Sequence, residues 1–316
     1  MQLKSFTLKT KSGFEVWCNS WIPDSDQKIK AVIVFHHGIC EHSLRYDRFG
    51  SVLSENGYVL FSYDMRGHGK TAENALHNKT GDFGYISKRN GCKTLVQDLK
   101  DVIDFAKSEY PGQKFILAGH SLGSVVALGY LENYSSKMDG CILIGAANPS
   151  KIKIAAGKIT ASLFKILFGA QKKSKILPKL FFSSYNRKIK NQKTKIDWIC
   201  KDEMSIQMYN DDNWCGIQLS NSFIYDSMKL FKFVKNNGHI NKIQKDLPIL
   251  IAYGKEDPVS NYGKDIKKLL NKLKKFGITN IQIKEYENDR HEILNESDRD
   301  IVENDLVNWI SKTLTE

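Results

Sequence analysis

Residues 115–131 read FILAGHSLGSVVALGYL, and this stretch decides the fold class. Its first part, FILAG, is short and apolar, as in a buried strand, and SVVALGYL then continues with the character of a helix. Between them, Gly119, Ser121 and Gly123 have the spacing G-x-S-x-G. This spacing suits a sharp strand-to-helix turn from which the serine projects, because the two glycines leave room for the tight backbone.

Short apolar runs alternate with helical patterns on both sides of this turn. Predicted strands cover residues 14–22, 30–37, 58–64, 140–146, 248–254 and 280–287. Predicted helices cover 45–56, 94–110, 265–276 and 299–314, and a loop rich in Gly, Asn and His is predicted at 66–90. The alternation predicts an α/β fold with a mostly parallel central sheet and helices on both faces.

The alternation of strands and helices is interrupted once. Residues 149–245 are helical in character, dense in aromatic side chains and basic in their first half, and the strand–helix pattern resumes after them. We therefore predict a core formed by residues 1–148 and 246–316, with residues 149–245 inserted between its two parts.

The composition is that of a globular protein. The 316 residues are 41% hydrophobic and 26% charged, and 16 Phe, 13 Tyr and 5 Trp exclude disorder along the whole chain. The first ten residues lack the apolar run of a secretory signal, and no two of the six Cys have C-x-x-C spacing, so a reduced, cytoplasmic protein is expected. No group of His, Cys and carboxylates has metal-ligand spacing, so neither a metal nor a redox cofactor is predicted.

A serine becomes a nucleophile when a histidine base lies beside it. Two histidines follow Ser121 in the chain, His239 and His291. His291 comes directly after the last predicted strand, at the edge of the sheet where catalytic groups gather, whereas His239 lies in the irregular segment. We predict that His291 is the base and that His239 is a surface or capping residue.

The base needs a carboxylate that orients its ring. Asp257 directly follows the predicted strand 248–254, and Pro258 fixes the turn behind it. Glu256 is expected to point elsewhere on an extended turn, and Asp289 shares the loop of the histidine. We therefore predict that Asp257 is the orienting acid.

Two backbone amides complete the predicted site. The amide of Leu122 begins the helix after the turn, and the loop after the strand 30–37 brings the amide of Ile39 opposite to it. Together they would form an oxyanion hole. His36 and His37 are expected to support this loop rather than to catalyse.

Five segments give the sequence a family resemblance. It resembles the monoacylglycerol lipase and lysophospholipase branch of the α/β-hydrolase superfamily, whose fold and helical cap insertion would then be expected here. The segments that match, in order, are HHGICEHSLRY (36–46), YDMRGHGKT (63–71), GHSLGS (119–124), GKEDPVS (254–260) and RHEILNE (290–296), and DWICKDE (197–203) is similar to the family's cap.

The resemblance implies the site that the residues themselves predict. Ser121 would be the nucleophile, His291 the base and Asp257 its partner, with the amides of Ile39 and Leu122 as the oxyanion hole. Cys40 departs from the family, which usually has Gly at this position.

The resemblance also implies that residues 149–245 cover the serine and hold an acyl chain. Ile159, Leu163, Ile166 and Leu167 have helical spacing, and Phe164 lies beside them. Residues 151–195 contain 13 of the 47 Lys and Arg residues and no Asp or Glu. This face either contacts an anionic lipid surface or packs on the core. Nucleic-acid binding is not expected, because the segment has no recognised nucleic-acid module.

Three residues near the predicted catalytic groups are candidates for binding the polar part of a substrate. They are Glu41, Arg45 and His120. Glu41 and Arg45 are four residues apart, so they are equally suited to pairing with each other on a helix.

The sequence therefore predicts a serine hydrolase that cleaves single-acyl lipid esters, either monoacylglycerols or lysophospholipids. Two alternatives remain open at this point. One is a short-chain carboxylesterase, and the other is a non-catalytic lipid-binding protein on the same fold.

Overall fold

A single mixed sheet of eight strands runs through residues 1–315, the part of the chain that the computed structural model describes. The strands are β1 (Gln2–Lys9), β2 (Glu15–Ile22), β3 (Ala31–His36), β4 (Tyr58–Tyr63), β5 (Lys114–His120), β6 (Gly140–Ile144), β7 (Ile249–Gly254) and β8 (Ile281–Tyr286). Their order in the sheet is β1-β2-β4-β3-β5-β6-β7-β8. Strands β1 and β2 run antiparallel to their neighbours, and the strands from β4 to β8 are parallel.

Helices follow most of the strands, as the sequence predicted. They are α1 (Asp47–Glu55), α2 (Gly69–His77), α3 (Gly91–Glu109), α4 (Leu122–Tyr134), α5 (Lys151–Phe168), α6 (Ile176–Phe182), α7 (Glu203–Asp211), α8 (Asn221–Val234), α9 (Asn237–Ile240), α10 (Lys264–Lys275) and α11 (Arg299–Thr315). The predicted α/β architecture is confirmed.

The central strands are buried on both faces because helices cover both sides of the sheet. In β5, Phe115 and Leu117 belong to the core under α3 and α4, whereas Ile116 and Ala118 belong to the core under α1 and α11. This alternation follows from the two-residue period of a strand. It also explains why β5 is a continuous apolar run in the sequence.

Five helices, α5 to α9, lie between β6 and β7. Helix α5 packs against α8, and α8 in turn packs against α3 and α4 of the core. The buried face of α5 carries Ile154, Gly157 and Ala161. A Cβ atom on Gly157 would lie 2.7 Å from the ring of Phe181 and 2.8 Å from the sulfur of Met228, so the helices meet closely here. The predicted boundaries of the insertion, 149–245, enclose all five helices.

Two elements were missed by the sequence analysis. Strand β1 was not identified, because it lies at the edge of the sheet and most of its side chains are exposed. Helix α2 lies inside the predicted loop 66–90. Its first turn is held by the carboxylate of Asp64, which accepts from the amide of Lys70 at 2.7 Å. A cap supplied from six residues away leaves no local start signal in the sequence.

The apolar stripe of α5 faces outward. Ile159, Leu163, Ile166 and Leu167 are all more than half exposed, so this face does not pack on the core. Of the helices in residues 1–315, none has an apolar stretch long enough to cross a membrane.

Candidate active site

Ser121 occupies the sharp turn between β5 and α4. Its backbone has φ 53° and ψ −116°, a conformation that residues other than glycine rarely adopt. The Ser121 amide donates to the carbonyl of Ile144 at the end of β6, 2.9 Å away. This hydrogen bond attaches the turn to the neighbouring strand β6. The side chain of Ser121 borders a cavity. Strained backbone of this kind is common at catalytic positions.

The two glycines of the turn are required by close contacts. A Cβ atom on Gly119 would lie 2.5 Å from the carbonyl oxygen of Gly123, and one on Gly123 would lie 2.0 Å from the carbonyl oxygen of His36. Both obstacles are backbone atoms that cannot rotate away. The spacing G-x-S-x-G is therefore a packing requirement of this turn against the loop after β3.

Replacing Gly123 by Ala should destabilise the protein severely. The new methyl group would force the end of β3 away from α4, and because overpacking typically costs about 1–3 kcal/mol, a loss of about 3 kcal/mol is expected at this close backbone contact. Gly238→Ala is the matched control, because the nearest atom to its added methyl is a mobile Asn236 side-chain oxygen. Urea unfolding of both variants tests this. Equal stabilities would contradict the close approach of the two segments.

His291 and Asp257 are hydrogen bonded at the carboxyl edge of the sheet. Asp257 follows β7, His291 follows β8, and these strands are parallel neighbours. The Nδ1 atom of His291 lies 3.1 Å from Oδ1 of Asp257. Asp257 is fully buried, and its two carboxylate oxygens also accept from the amides of Val259 and Ser260. This cradle fixes the carboxylate, which in turn fixes the imidazole ring.

Gly145, directly after β6, brings the imidazole close to the serine turn. A Cβ atom on Gly145 would lie 3.1 Å from Cε1 of His291, and the preceding residue, Ile144, accepts the Ser121 amide. Ser121 and His291 both line the same cavity. Within residues 1–315 the Ser121 hydroxyl makes no hydrogen bond to His291. Contacts between nucleophile and base commonly tighten when substrate binds.

The acids that the sequence analysis set aside have other surroundings. Glu256 is half exposed and pairs with Lys201 at 2.8 Å. Asp289 is buried, and burial together with a hydrogen bond to Asp298 raises its pKa to about 8. At neutral pH Asp289 is therefore largely uncharged. His239 packs on Phe233 and lies 3.3 Å from a carboxylate of α4.

The loop after β3 packs directly on the serine turn. A Cβ atom on Gly38 would lie 3.2 Å from Cβ of Ser121. The ring of His37 holds the loop, because its Nδ1 donates to the carbonyl of Gly38 at 2.7 Å and its Nε2 accepts from the amide of Met65 at 2.9 Å. Ile39 lines the cavity, and Leu122 begins α4, where first-turn amides have no acceptor within the helix.

Three neighbouring histidines behind this loop are held neutral by burial. Burial lowers the pKa of His36 to about 4 and that of His68 to about 3, and it also lowers the pKa of His37. A neutral ring is consistent with the accepting nitrogen of His37. The rings of His36 and His37 contact loop carbonyls, which agrees with the supporting role expected for these two residues, whereas the sequence analysis did not single out His68.

The buried histidines should make folding sensitive to acid. In the unfolded chain, His36 and His68 bind protons below about pH 6.5, whereas in the folded state they do so only at about pH 4 or lower. The free energy of unfolding is therefore highest above pH 6.5 and decreases as the pH falls below this value. When the pH is lowered from 7 to 5, His36 and His68 should each decrease the free energy of unfolding by about 2 kcal/mol. Urea unfolding at both values, with His68→Gln beside the wild type, measures the difference. An identical pH dependence in the variant would contradict this explanation.

Glu41 is a buried acceptor at the base of the cavity. Its Oε1 atom accepts from the amide of Gly38 at 2.5 Å, the hydroxyl of Tyr46 at 2.8 Å and Nδ1 of His120 at 2.9 Å. Burial opposes ionisation, but the hydrogen bond from His120 and the charge of Arg45 hold the pKa of Glu41 well below its usual range. The same pairing raises the pKa of His120 against the effect of burial. Glu41 therefore shapes the loop that carries Ile39.

Arg45 joins this loop to the loop of His291. Its guanidinium pairs with Glu41 at 2.9 Å and binds both carboxylate oxygens of Glu292 at 2.8 and 2.9 Å. It also lies over the ring of Tyr209, 4.9 Å from its centre. Arg45 thus makes the i, i+4 pair that the sequence analysis considered, whereas Glu41 and His120 line the cavity.

A cavity of about 500 Å³ lies over Ser121, within the range typical of small-molecule sites. Its floor is the serine turn, the loop after β3 and His291, and the remaining walls come from residues 178–219 of the insertion. Most of its lining surface is apolar. The apolar lining residues are Ile39, Pro178, Phe182, Ile196, Trp198, Ile199, Ile217 and Leu219.

The structure does not bring Ile159, Leu163 and Phe164 to this cavity. They were predicted as substrate contacts because the stripe of α5 was the most regular apolar pattern in the insertion. The first two are mostly exposed, and Phe164 packs beside Phe168 at the outer end of the helix. The walls come instead largely from α6 and the irregular segment after it, where the centre of the Trp198 ring lies 5.4 Å from that of His291 and the two rings are tilted by 39°. That segment has no period that the sequence analysis could have detected.

The fold is shared with solved structures. A thermostable carboxyl esterase from Bacillus coagulans superposes with a TM-score of 0.86 at 24% identity, covering 99% of both chains. Such a similarity shows the fold, and the predicted α/β-hydrolase architecture is confirmed by it.

The model of the Hydrolase_4 family, described as serine aminopeptidase, S33, matches residues 27–298, and the chain belongs to this family. It is 24% identical over 315 residues to a monoglyceride lipase of Saccharomyces cerevisiae, covering 96% of this chain and 91% of that protein. It is 26% identical over 205 residues to a human monoglyceride lipase, covering 65% of this chain and 58% of that protein. The chain spans about half the length of most of the curated relatives that it matches first.

Proposed function

We propose that the protein hydrolyses esters with one long acyl chain, such as monoacylglycerols or lysophospholipids. The observation that supports this best is the hydrogen-bonded pair His291 and Asp257, which lies beside the Ser121 turn at the floor of an apolar cavity. The names of the relatives, monoglyceride lipases, agree with this substrate class.

In the proposed first step, the Ser121 oxygen attacks the ester carbonyl carbon. Because Nδ1 of His291 faces Asp257, the other ring nitrogen, Nε2, takes the serine proton. The carbonyl oxygen becomes an oxyanion, which the amides of Ile39 and Leu122 would stabilise. One such donor is typically worth about 3 kcal/mol in the transition state. The bond between carbonyl carbon and alcohol oxygen then breaks, and the alcohol leaves with the proton from His291.

In the second step, a water molecule releases the acyl chain from the enzyme. His291 removes a proton from the water, whose oxygen attacks the acyl carbon. The bond to the Ser121 oxygen breaks, that oxygen regains the proton from His291, and the fatty acid leaves. Asp257 stays ionised throughout and stabilises the imidazolium that forms in each step.

The proposed acyl site lies beneath α6 and residues 183–199. Helix α6 has two different faces. Pro178 and Phe182 line the cavity, whereas Ile176 and Leu180 are more than half exposed. An apolar wall that continues from the cavity to the outer surface suits a substrate that leaves a lipid phase. On this basis we propose that residues 149–245 act as a cap.

Substrate profiling tests the proposed function. Purified protein should release fatty acid from long-chain monoacylglycerol or lysophospholipid with a higher kcat/KM than it shows for p-nitrophenyl acetate. A much faster reaction with the short ester would favour the short-chain carboxylesterase instead. Absence of turnover on all three substrates would favour a lipid-binding protein without activity and would reject the proposal.

We also propose that the outer face of α5 and α6 contacts anionic membranes. The exposed apolar side chains there are Ile152, Ile159, Leu163, Ile166, Leu167, Phe168, Ile176 and Leu180. The surrounding segment 151–195 has 13 basic residues and no acidic one. A basic residue near an anionic surface contributes about 1 kcal/mol. The exposed apolar side chains and the basic charge therefore both favour binding of this face to an anionic membrane.

Binding to vesicles should depend on both charge and this apolar face. At low salt the protein should sediment with anionic vesicles more than with neutral ones, and about 1 M salt should release it because the Debye length falls to about 3 Å. Ile166→Asn should weaken the binding. Met204→Asn is the matched control, an exposed apolar side chain on α7 outside the segment. Equal binding to neutral and anionic vesicles at low salt would reject this proposal.

A further inference from the structure

Three side chains form a cluster that the proposed catalytic mechanism does not use. His42 lies on the loop after β3, and Asp212 and Cys215 lie on the turn after α7. Each offers one ligand atom, and these three atoms all lie within 4.8 Å of one another. His42 is almost fully buried, whereas Asp212 and Cys215 are partly exposed, so an ion has access from one side.

The turn after α7 holds the two other ligands side by side. The amide of Cys215 donates to the carbonyl of Asp212 at 3.0 Å, which closes a tight turn. The amide of Trp214 donates to Oδ1 of Asp212 at 2.7 Å, and Oδ2 of the same carboxylate faces Nε2 of His42 at 2.6 Å. The indole of Trp214 packs edge-on against the His42 ring. The carboxylate and the imidazole are thus both held in orientation.

We propose that His42, Asp212 and Cys215 form a zinc site. Imidazole nitrogen, carboxylate oxygen and thiolate are the three types of side-chain ligand by which proteins bind Zn²⁺, and three protein ligands leave a fourth position of the tetrahedron for water. On binding, the thiol of Cys215 loses its proton to solvent. The Nε2 proton of His42 moves to Nδ1, so that Nε2 can coordinate. The charges of thiolate and carboxylate then balance the ion.

Zinc at this site would connect the proposed oxyanion loop to the insertion. Gly216, next to Cys215, donates its amide to the carbonyl of Cys40 at 2.9 Å, and the hydroxyl of Tyr209 donates to the same oxygen at 2.9 Å. The ion would add a stronger link between the same two segments. The spacing of residues along the chain predicts no metal, because His42 and Asp212 are 170 residues apart and no local pattern connects them.

Titration of the reduced 316-residue chain with Co²⁺, a spectroscopic substitute for Zn²⁺, tests the proposal. The wild type should bind one ion with a near-ultraviolet thiolate-to-cobalt band, and Zn²⁺ should displace it. Cys215→Ser should abolish the band. Asp212→Asn and His42→Gln should weaken binding about tenfold or more, as the loss of a supporting group already does in metal sites.

Two control variants locate the site. Cys40→Ser removes a neighbouring thiol, and His77→Gln removes an exposed histidine, so both should bind Co²⁺ like the wild type. If His42→Gln fails to fold, Asp212→Asn and Cys215→Ser, both on the partly exposed turn, still test whether these residues bind the ion. A wild type without a thiolate-to-cobalt band, an unchanged band in Cys215→Ser, or loss of the band in Cys40→Ser would overturn the proposal.

Discussion

Ser121→Ala should lower kcat on any ester that the protein cleaves by a factor on the order of 10⁴ or more, because no other group can form the acyl-enzyme. Alanine keeps the Cβ atom and the backbone of the turn. The hydroxyl that it removes makes no hydrogen bond to His291. The unfolding midpoint should therefore stay close to that of the wild type. Fatty-acid release and urea unfolding of the same preparation measure both quantities.

A variant that retains activity and folds normally would contradict the role of Ser121. The fold offers a matched control in Ser124, one turn further along α4. Its hydroxyl donates to the carbonyl of Ser121 at 2.6 Å, and the side chain is fully buried. Ser124→Ala removes the same group and should reduce kcat far less than Ser121→Ala does.

Asp257→Asn should lower kcat by about 10⁴-fold while leaving the geometry of the site intact. The amide group of asparagine can donate its N–H to Nδ1, which leaves the His291 ring in the wrong tautomer, and the imidazolium loses its negatively charged partner. The effect should appear in kcat rather than in KM, because Asp257 is fully buried and does not line the cavity. Steady-state kinetics on one long-chain ester measure it.

Asp289→Asn is the control for this prediction. Asp289 lies two residues before His291, but its carboxyl is largely protonated at neutral pH because burial and Asp298 raise its pKa to about 8. Asparagine therefore replaces a neutral group by a neutral group, and kcat should change little. Equal decreases of kcat in Asp257→Asn and Asp289→Asn would contradict a special role of the Asp257 carboxylate, because any change near His291 would then have the same effect.

The positions of the candidate catalytic residues could be predicted because a parallel sheet places them by rule. Ser121, Asp257 and His291 each follow a strand, and β5, β7 and β8 end at the same edge. Their order in the chain and their place after strands are visible in the sequence. The glycines of the turn were also predictable, since their spacing follows from the close backbone contact with the loop after β3.

The walls of the cavity could not be predicted in the same way. Apolar periodicity pointed to α5, yet the regular stripe of α5 faces solvent. Trp198 and most of the other wall residues after α6 lie in irregular backbone, whose shape depends on long-range contacts. One such contact is the pair of hydrogen bonds from Arg290 to the carbonyls of Asp197 and Cys200. Residues far apart in the chain fix this segment, so no local pattern reveals it.

The role of Glu41 also required coordinates. From the sequence, Glu41 and Arg45 fit either a substrate site or a helical pair. The structure adds Glu292, which binds Arg45 through both carboxylate oxygens and so joins the loop after β3 to the loop of His291. A partner 247 residues away in the chain has no sequence signal.

Labelling with a fluorophosphonate tests the central claim most directly, because the probe reacts only with a serine that a neighbouring base activates. Peptide mass spectrometry of the labelled protein should find the phosphonate on Ser121 at close to one per chain. Labelling should become far slower in His291→Ala, which leaves the serine in place. Absence of label on Ser121, or an unchanged labelling rate in His291→Ala, would contradict the account.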